Sequence, residues 1–262
     1  MLDFLFELPL WIAGPLIVGS LCLYALIGLG FARRRILPRL RIHAEDSDFS
    51  AGVLGGVMIF YSLAVALIAI NVWETYSDVS KIISQEATSL AALYRDVGEY
   101  PEPKGSQLQK QLRDYTEQVI HEAWPIQARG KVPAGGVQIM DSFQSALAGF
   151  EPSTDGQRIL HAETLHAYNE LILARRLRLD AVGTQLPGIL WIIIIMGGLI
   201  AISSSFFFKV EDGRLHGIQV VFLATLIGMI ILVVVAFDYP FRGDLALRPD
   251  PYQLVYDHLM NP

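Results

Sequence analysis

The residues of this chain that could do chemistry are few and widely spaced. Glu86 interrupts an otherwise apolar helical stripe, and a carboxylate buried there without a partner is costly. Arg175 and Arg178 share one face of a later helix at i, i+3 and supply the expected ion-pair partner. No second carboxylate is tied to Glu86 by spacing, so the pattern predicts a buried ion pair rather than acid–base catalysis. Glu74 and Asp78 lie one turn apart and, repeated around a symmetry axis, would form an ion-attracting mouth. His43, His121, His161, His166, His216 and His258 are scattered, and His161 and His166 are five apart rather than the four that suits one helix face. His121-Glu122 opens like a metalloprotease motif but lacks the histidine four positions after His121. Gly28-Leu29-Gly30 ends an apolar segment instead of following a strand, so it is no nucleotide loop. The sequence therefore predicts no catalytic residue, cofactor site or metal site, and an enzyme is not expected.

Four apolar segments must position whatever these residues do. They run roughly over 9–31, 52–73, 188–208 and 216–237, each near the ~20 apolar residues an α-helix needs to cross the hydrocarbon. The 262 residues are 53% hydrophobic with a mean hydropathy of +0.42, which fits a multi-pass membrane protein whose remaining part folds in water. That part, 74–186, carries 15 acidic and 11 basic residues, a net charge of −4, and offers no electrostatic footprint for nucleic acid. The organisation expected is spans one and two in 1–73, an extramembrane helical bundle in 74–186, spans three and four in 187–237, and a tail in 238–262.

Cys22 is the only cysteine, so no intrachain disulfide forms. Asp3 and Glu7 stand where a signal peptide would be basic, and the first span is expected to be retained. Arg33, Arg34, Arg35, Arg39 and Arg41 follow that span. By the positive-inside rule they place loop 32–51 in the cytoplasm and 74–186 outside it, in a cell (inner) membrane. Arg175, Arg176 and Arg178, close to span three, pull the other way.

From Val57 to Val97 there is no glycine or proline, so the second membrane helix is expected to continue past the bilayer. At 1.5 Å per residue, 52–97 would reach roughly 70 Å. Beyond Val72 its apolar positions narrow to Val72, Tyr76, Val79, Ile83, Glu86, Leu90, Leu93 and Val97, a seam for helix packing. Three more amphipathic helices are predicted: one with Leu108, Leu112, Tyr115 and Val119; one with Met140, Phe143 and Leu147; one with Ile159, Ala162, Leu165, Ile172 and Leu179. Gly183 and Pro187 predict a hinge before span three. The fold class expected is all-α, four transmembrane helices with the bundle inserted between the second and third. Small residues at four-residue intervals, Gly52 and Gly56, Gly197, Ala201 and Ser205, Ala224 and Gly228, predict close helix contacts in lipid. No charged residue lies mid-span, which argues against a proton-coupled carrier.

Taken together, Trp73-Glu74, Glu86, Leu93-Tyr94, Arg175, Arg178-Leu179, Leu186-Pro187, Trp191 and Asp238-Tyr239-Pro240-Phe241-Arg242-Gly243 resemble a bacterial membrane family of unknown function described as bestrophin-like, over about Ser50 to Tyr256. Bestrophins proper are oligomeric anion channels whose second transmembrane helices line a central pore with an apolar neck. The resemblance implies a homo-oligomer with span two on the axis. On that helix Phe60, Leu63 and Leu67 share one face, followed by Asn71, as candidate pore lining or as a face for lipid or helix packing, with Glu74 and Asp78 as the candidate mouth. An apolar ring of this kind gates by dewetting. The chain differs from bestrophins in its acidic mouth, which works against an anion, in lacking a clustered acidic calcium loop, and in the orientation its arginines favour. The partners expected are other copies of the chain, the lipid bilayer and inorganic ions. The alternative is a non-conducting membrane-anchored scaffold or sensor acting through its helical bundle.

Overall fold

The computed structural model describes residues 8–40, 44–208, 210 and 212–261. Asp3, Glu7, Arg41 and His43 lie outside them. The described residues are helical with no strand among them, and four of the helices are long and apolar enough to cross a membrane. The chain divides into two compact units, Met1–Thr75 with Gln185–Tyr239, and Tyr76–Thr184 with Pro240–Pro262.

In the first unit, α1 (Leu10–Phe31) begins after Pro9 and runs into a π turn, Ala32–Ile36, that carries Arg33, Arg34 and Arg35. A further helical turn, Leu37–Leu40, and the start of α2 at Ala44 replace most of the expected loop 32–51. No glycine or proline between Pro38 and Gly52 opposes that helicity. Two more helices complete the unit, α6 (Gly188–Ser204) and α7 (Gly213–Phe237). Glycines set the close contacts between them. Gly228 faces Val18 and Gly14 faces Leu232, where added Cβ atoms would come within 3.0 and 3.1 Å, and Cys22 Sγ lies 3.5 Å from Thr225 Oγ1 between them. The Tyr61 ring of α2 lies on Gly197 and Gly198 of α6, and its hydroxyl donates to the Ile194 carbonyl at 2.9 Å. Of the predicted small-residue positions, Ala201, Ser205 and Ala224 are buried. A Cβ added at Gly52 or Gly56 would meet nothing within 4 Å among the described residues.

The second unit is built from the rest of α2 (Ala44–Gly98), α3 (Lys104–Gln118), α4 (Val137–Ala148), α5 (Asp155–Ala181) and α8 (Asp250–Val255). α2 is helical without a break from Trp73 through Ile83. Its seam Val79, Ile83, Glu86, Leu90, Leu93 and Val97 is buried. α3 continues through the wider turn Val119–Ala123 into Trp124–Gln127, ahead of Pro125, which cannot donate to the carbonyl four residues back. Gly136 starts α4 at φ 79°, a conformation that disfavours a side chain.

The apolar stripe predicted for α5 is rotated from the true one. Ile159 and Ala162 are exposed and Leu165, Ile172 and Leu179 half-buried, while Thr164, Tyr168, Leu171, Ala174, Arg178 and Ala181 face the core. Polar residues on the inner face misled a count of apolar positions, because their hydroxyl and guanidinium groups find partners inside. α5 ends at Ala181 and a new helix begins at Gly188, so the last bundle helix does not run into span three; Pro187 caps the new helix in an extended conformation. The tail is no mere appendage, since Tyr252 and Met260 are fully buried in the second unit.

Candidate functional site

Two sets of residues bear on function: the exposed face of α2 and a buried polar centre in the second unit. On α2, Phe60, Leu63 and Leu67 are 77, 58 and 59% exposed. Asn71, Glu74 and Asp78 continue along the helix and are exposed as well. Asp78 pairs with Lys81 at 2.8 Å, with both side chains in solvent, whereas Glu74 makes no ion pair among the described residues. Trp73 packs edge-on against Phe237 at 5.1 Å between ring centroids.

The buried centre is assembled from α2, α3, α5, α8 and the Trp124 turn. Glu86 Oε2 accepts from Arg178 Nε at 2.7 Å, and Glu86 Oε1 accepts from Arg178 Nη2 at 3.1 Å and from the Tyr115 hydroxyl at 2.6 Å. Both charged side chains are withdrawn from water, at 0 and 1% exposure. The guanidinium lies 5.8 Å from the Trp124 ring centroid and 5.7 Å from that of Tyr252, in cation–π range. Burial works against the Arg178 charge, and Tyr252, Glu86 and Tyr115 together more than offset it, holding the guanidinium protonated. Burial pushes the Tyr115 hydroxyl far above its ordinary range, with the Glu86 charge adding to it.

Arg175 stands apart from this pair. Its Nη2 donates to the Gly135 carbonyl at 3.4 Å and its guanidinium lies 5.9 Å from the Tyr115 ring centroid. Of the two candidates, the structure brings Arg178 to Glu86 and leaves Arg175 on the other side of the tyrosine. The centre is closed to solvent and pairs one carboxylate with one guanidinium. What it does is lock five segments into one register.

Sequence reasoning missed a second polar knot, in the first unit. Asp238 is buried and accepts from the Leu186 backbone N–H at 2.6 Å and from Trp191 Nε1 at 3.2 Å. The neighbouring Tyr239 hydroxyl donates to Gln185 Oε1. This ties the end of α7 to the start of α6, and burial raises the Asp238 pKa although both hydrogen bonds oppose the rise. The signal was visible in the sequence as an acid immediately after an apolar span, but nothing in its spacing pointed to Leu186.

Glu86 and Arg178 thus make polar contacts inside the second unit, and Leu186, Trp191, Asp238 and Tyr239 inside the first, and all are among the residues on which the family resemblance rested. A profile of the Bestrophin-like domain matches residues 21–252. The chain belongs to the Bestrophin-like family. No curated protein and no solved structure matches it. Its four apolar helices, Leu10–Arg39, Ala51–Gly98, Gly188–Phe207 and Gly213–Phe237, make this Bestrophin-like chain a multi-pass membrane protein. Among the described residues no group of three or more His, Cys, Asp or Glu could hold a metal ion.

Proposed function

We propose that this Bestrophin-like chain assembles as a homo-oligomer in the cell membrane and conducts ions passively, with the membrane part of α2 lining the axis. One observation carries the reading. The most apolar stretch of α2 is 17% buried within the chain, against 28, 39 and 39% for the other three spans. A span so little covered by its own protomer has the most to gain from packing against copies of itself, since association in lipid is driven by such packing. Its exposed face passes from Phe60, Leu63 and Leu67 through Asn71 to Glu74 and Asp78, an apolar constriction that opens into a hydrated acidic mouth. Glu74 works against an anion there, while the Asp78 charge is shared with Lys81.

In this reading the arginines of 33–39 face the cytoplasm and 74–186 forms an extramembrane bundle on the other side. Single cysteines at Arg39→Cys and Glu102→Cys, in a Cys22→Ser background, test it by labelling of intact cells. Labelling at position 102 alone is expected; labelling at position 39 alone would reverse the topology.

Conductance in reconstituted bilayers tests the pore. Leu63→Ser should raise it by wetting the constriction. A silent wild type with an equally silent variant would favour the second reading, a scaffold or sensor that does not conduct. That reading draws on an open cleft of about 680 Å³ in the second unit. Asp114, Glu117, His121 and Glu122 line it, a surface suited to a cationic partner.

A further inference from the structure

We propose that a groove in the first unit, formed mainly by α7 with Leu26 of α1, is a binding site for an anionic phospholipid. The groove encloses about 480 Å³ and is lined by Leu26, Gly217, Ile218, Val221 and Phe222, with Gly213 and Arg214 at one end. Its apolar length follows α7, a helix that crosses the membrane, so it runs in the direction an acyl chain takes. Gly217 creates the space: a Cβ there would find only Leu26 Cδ2, at 3.9 Å.

The polar end carries arginines. Arg33 lies directly over Gly213, where a Cβ would collide with its Nη1, and its Nη2 donates to the Val210 carbonyl at 2.6 Å. Arg34 and Arg35 follow Arg33 in the same π turn, and Arg214 lines the groove at that end. Arg34, Arg35 and Arg214 are exposed and make no ion pair among the described residues. The nearby carboxylate of Asp212 is turned to the helix start, where its Oδ1 accepts from the Arg214 backbone N–H at 2.8 Å. A slot that is apolar along its length and ends in guanidinium groups matches one ligand chemistry: an acyl chain joined to a phosphodiester. Arginine forks suit phosphate oxygens, and basic pockets between membrane helices select anionic headgroups. The inference rests on the chain being a membrane protein and is independent of whether it conducts ions.

Native mass spectrometry of the full chain, titrated with phosphatidylglycerol or phosphatidylcholine in mild detergent, tests it. Wild type should retain phosphatidylglycerol in preference to phosphatidylcholine. Gly217→Leu, which fills the slot without touching a charge, should abolish that preference, and Arg214→Gln should weaken phosphatidylglycerol by about fivefold, as expected for one interfacial cation. Arg214 is exposed, so its variant keeps the test open should Gly217→Leu fail to fold. Equal retention of the two lipids by wild type would overturn the proposal. So would unchanged phosphatidylglycerol binding in the variants, or its full displacement by inorganic phosphate, which would mean that the arginines hold an anion without the groove.

Discussion

Arg178 and Glu86, 92 residues apart in sequence, are joined by two hydrogen bonds in a site closed to solvent. Removing one partner leaves the other buried without its counter-charge. Arg178→Ala should cost about 3–5 kcal/mol, whereas replacing both residues with apolar ones of similar volume, Glu86→Met with Arg178→Leu, should recover most of that loss. Denaturant unfolding followed by limited proteolysis within 76–184 measures it.

This pair also shows how far a sequence can be read. Glu86 called for a cation because it broke an apolar seam, and the i, i+3 arginines narrowed the choice to two. Deciding between them required the rotation of α5, which apolar counting misplaced because Thr164, Tyr168 and Arg178 all point inward. The four spans were legible because lipid demands length and uninterrupted apolarity. Asp238, Tyr252 and Trp124 were not, since their partners lie far away in sequence or on backbone atoms, and no periodicity encodes such contacts.

The rotation of α5 has its own test. Ile159→Ser should change stability by less than about 0.5 kcal/mol, as at other exposed positions, although isoleucine was expected to face the core. Leu171→Ala, at a fully buried position, should cost about 2–5 kcal/mol. Thermal unfolding of the two variants side by side distinguishes the faces.

Glycine positions separate contacts within the protomer from contacts between protomers. A Cβ at Gly197 would come within 2.5 Å of Tyr61 Cδ2, so Gly197→Leu should destabilise the fold by about 1–3 kcal/mol through overpacking. A Cβ at Gly52 meets nothing among the described residues, and Gly52→Leu should leave the protomer's melting unchanged. A fall in oligomer mass for Gly52→Leu, read by light scattering, would place that glycine between copies.

Asp238 predicts a pH dependence. Burial raises its folded pKa above the ordinary 3.8, so the folded state binds the proton more tightly than the unfolded one. The stability this contributes is full below about 3.8 and is lost as pH rises through the elevated folded value. Asp238→Asn should therefore flatten the pH profile of melting over that window, and wild type and variant with parallel profiles would contradict the assignment.

The most direct test of the account is whether α2 meets its own copies. With Leu63→Cys or Phe222→Cys introduced singly into a Cys22→Ser background, oxidation in native membranes should yield disulfide-linked dimers for position 63 and none for position 222, which lies on α7. Efficient cross-linking at 222 with none at 63 would remove α2 from the axis and contradict the proposed route for ions.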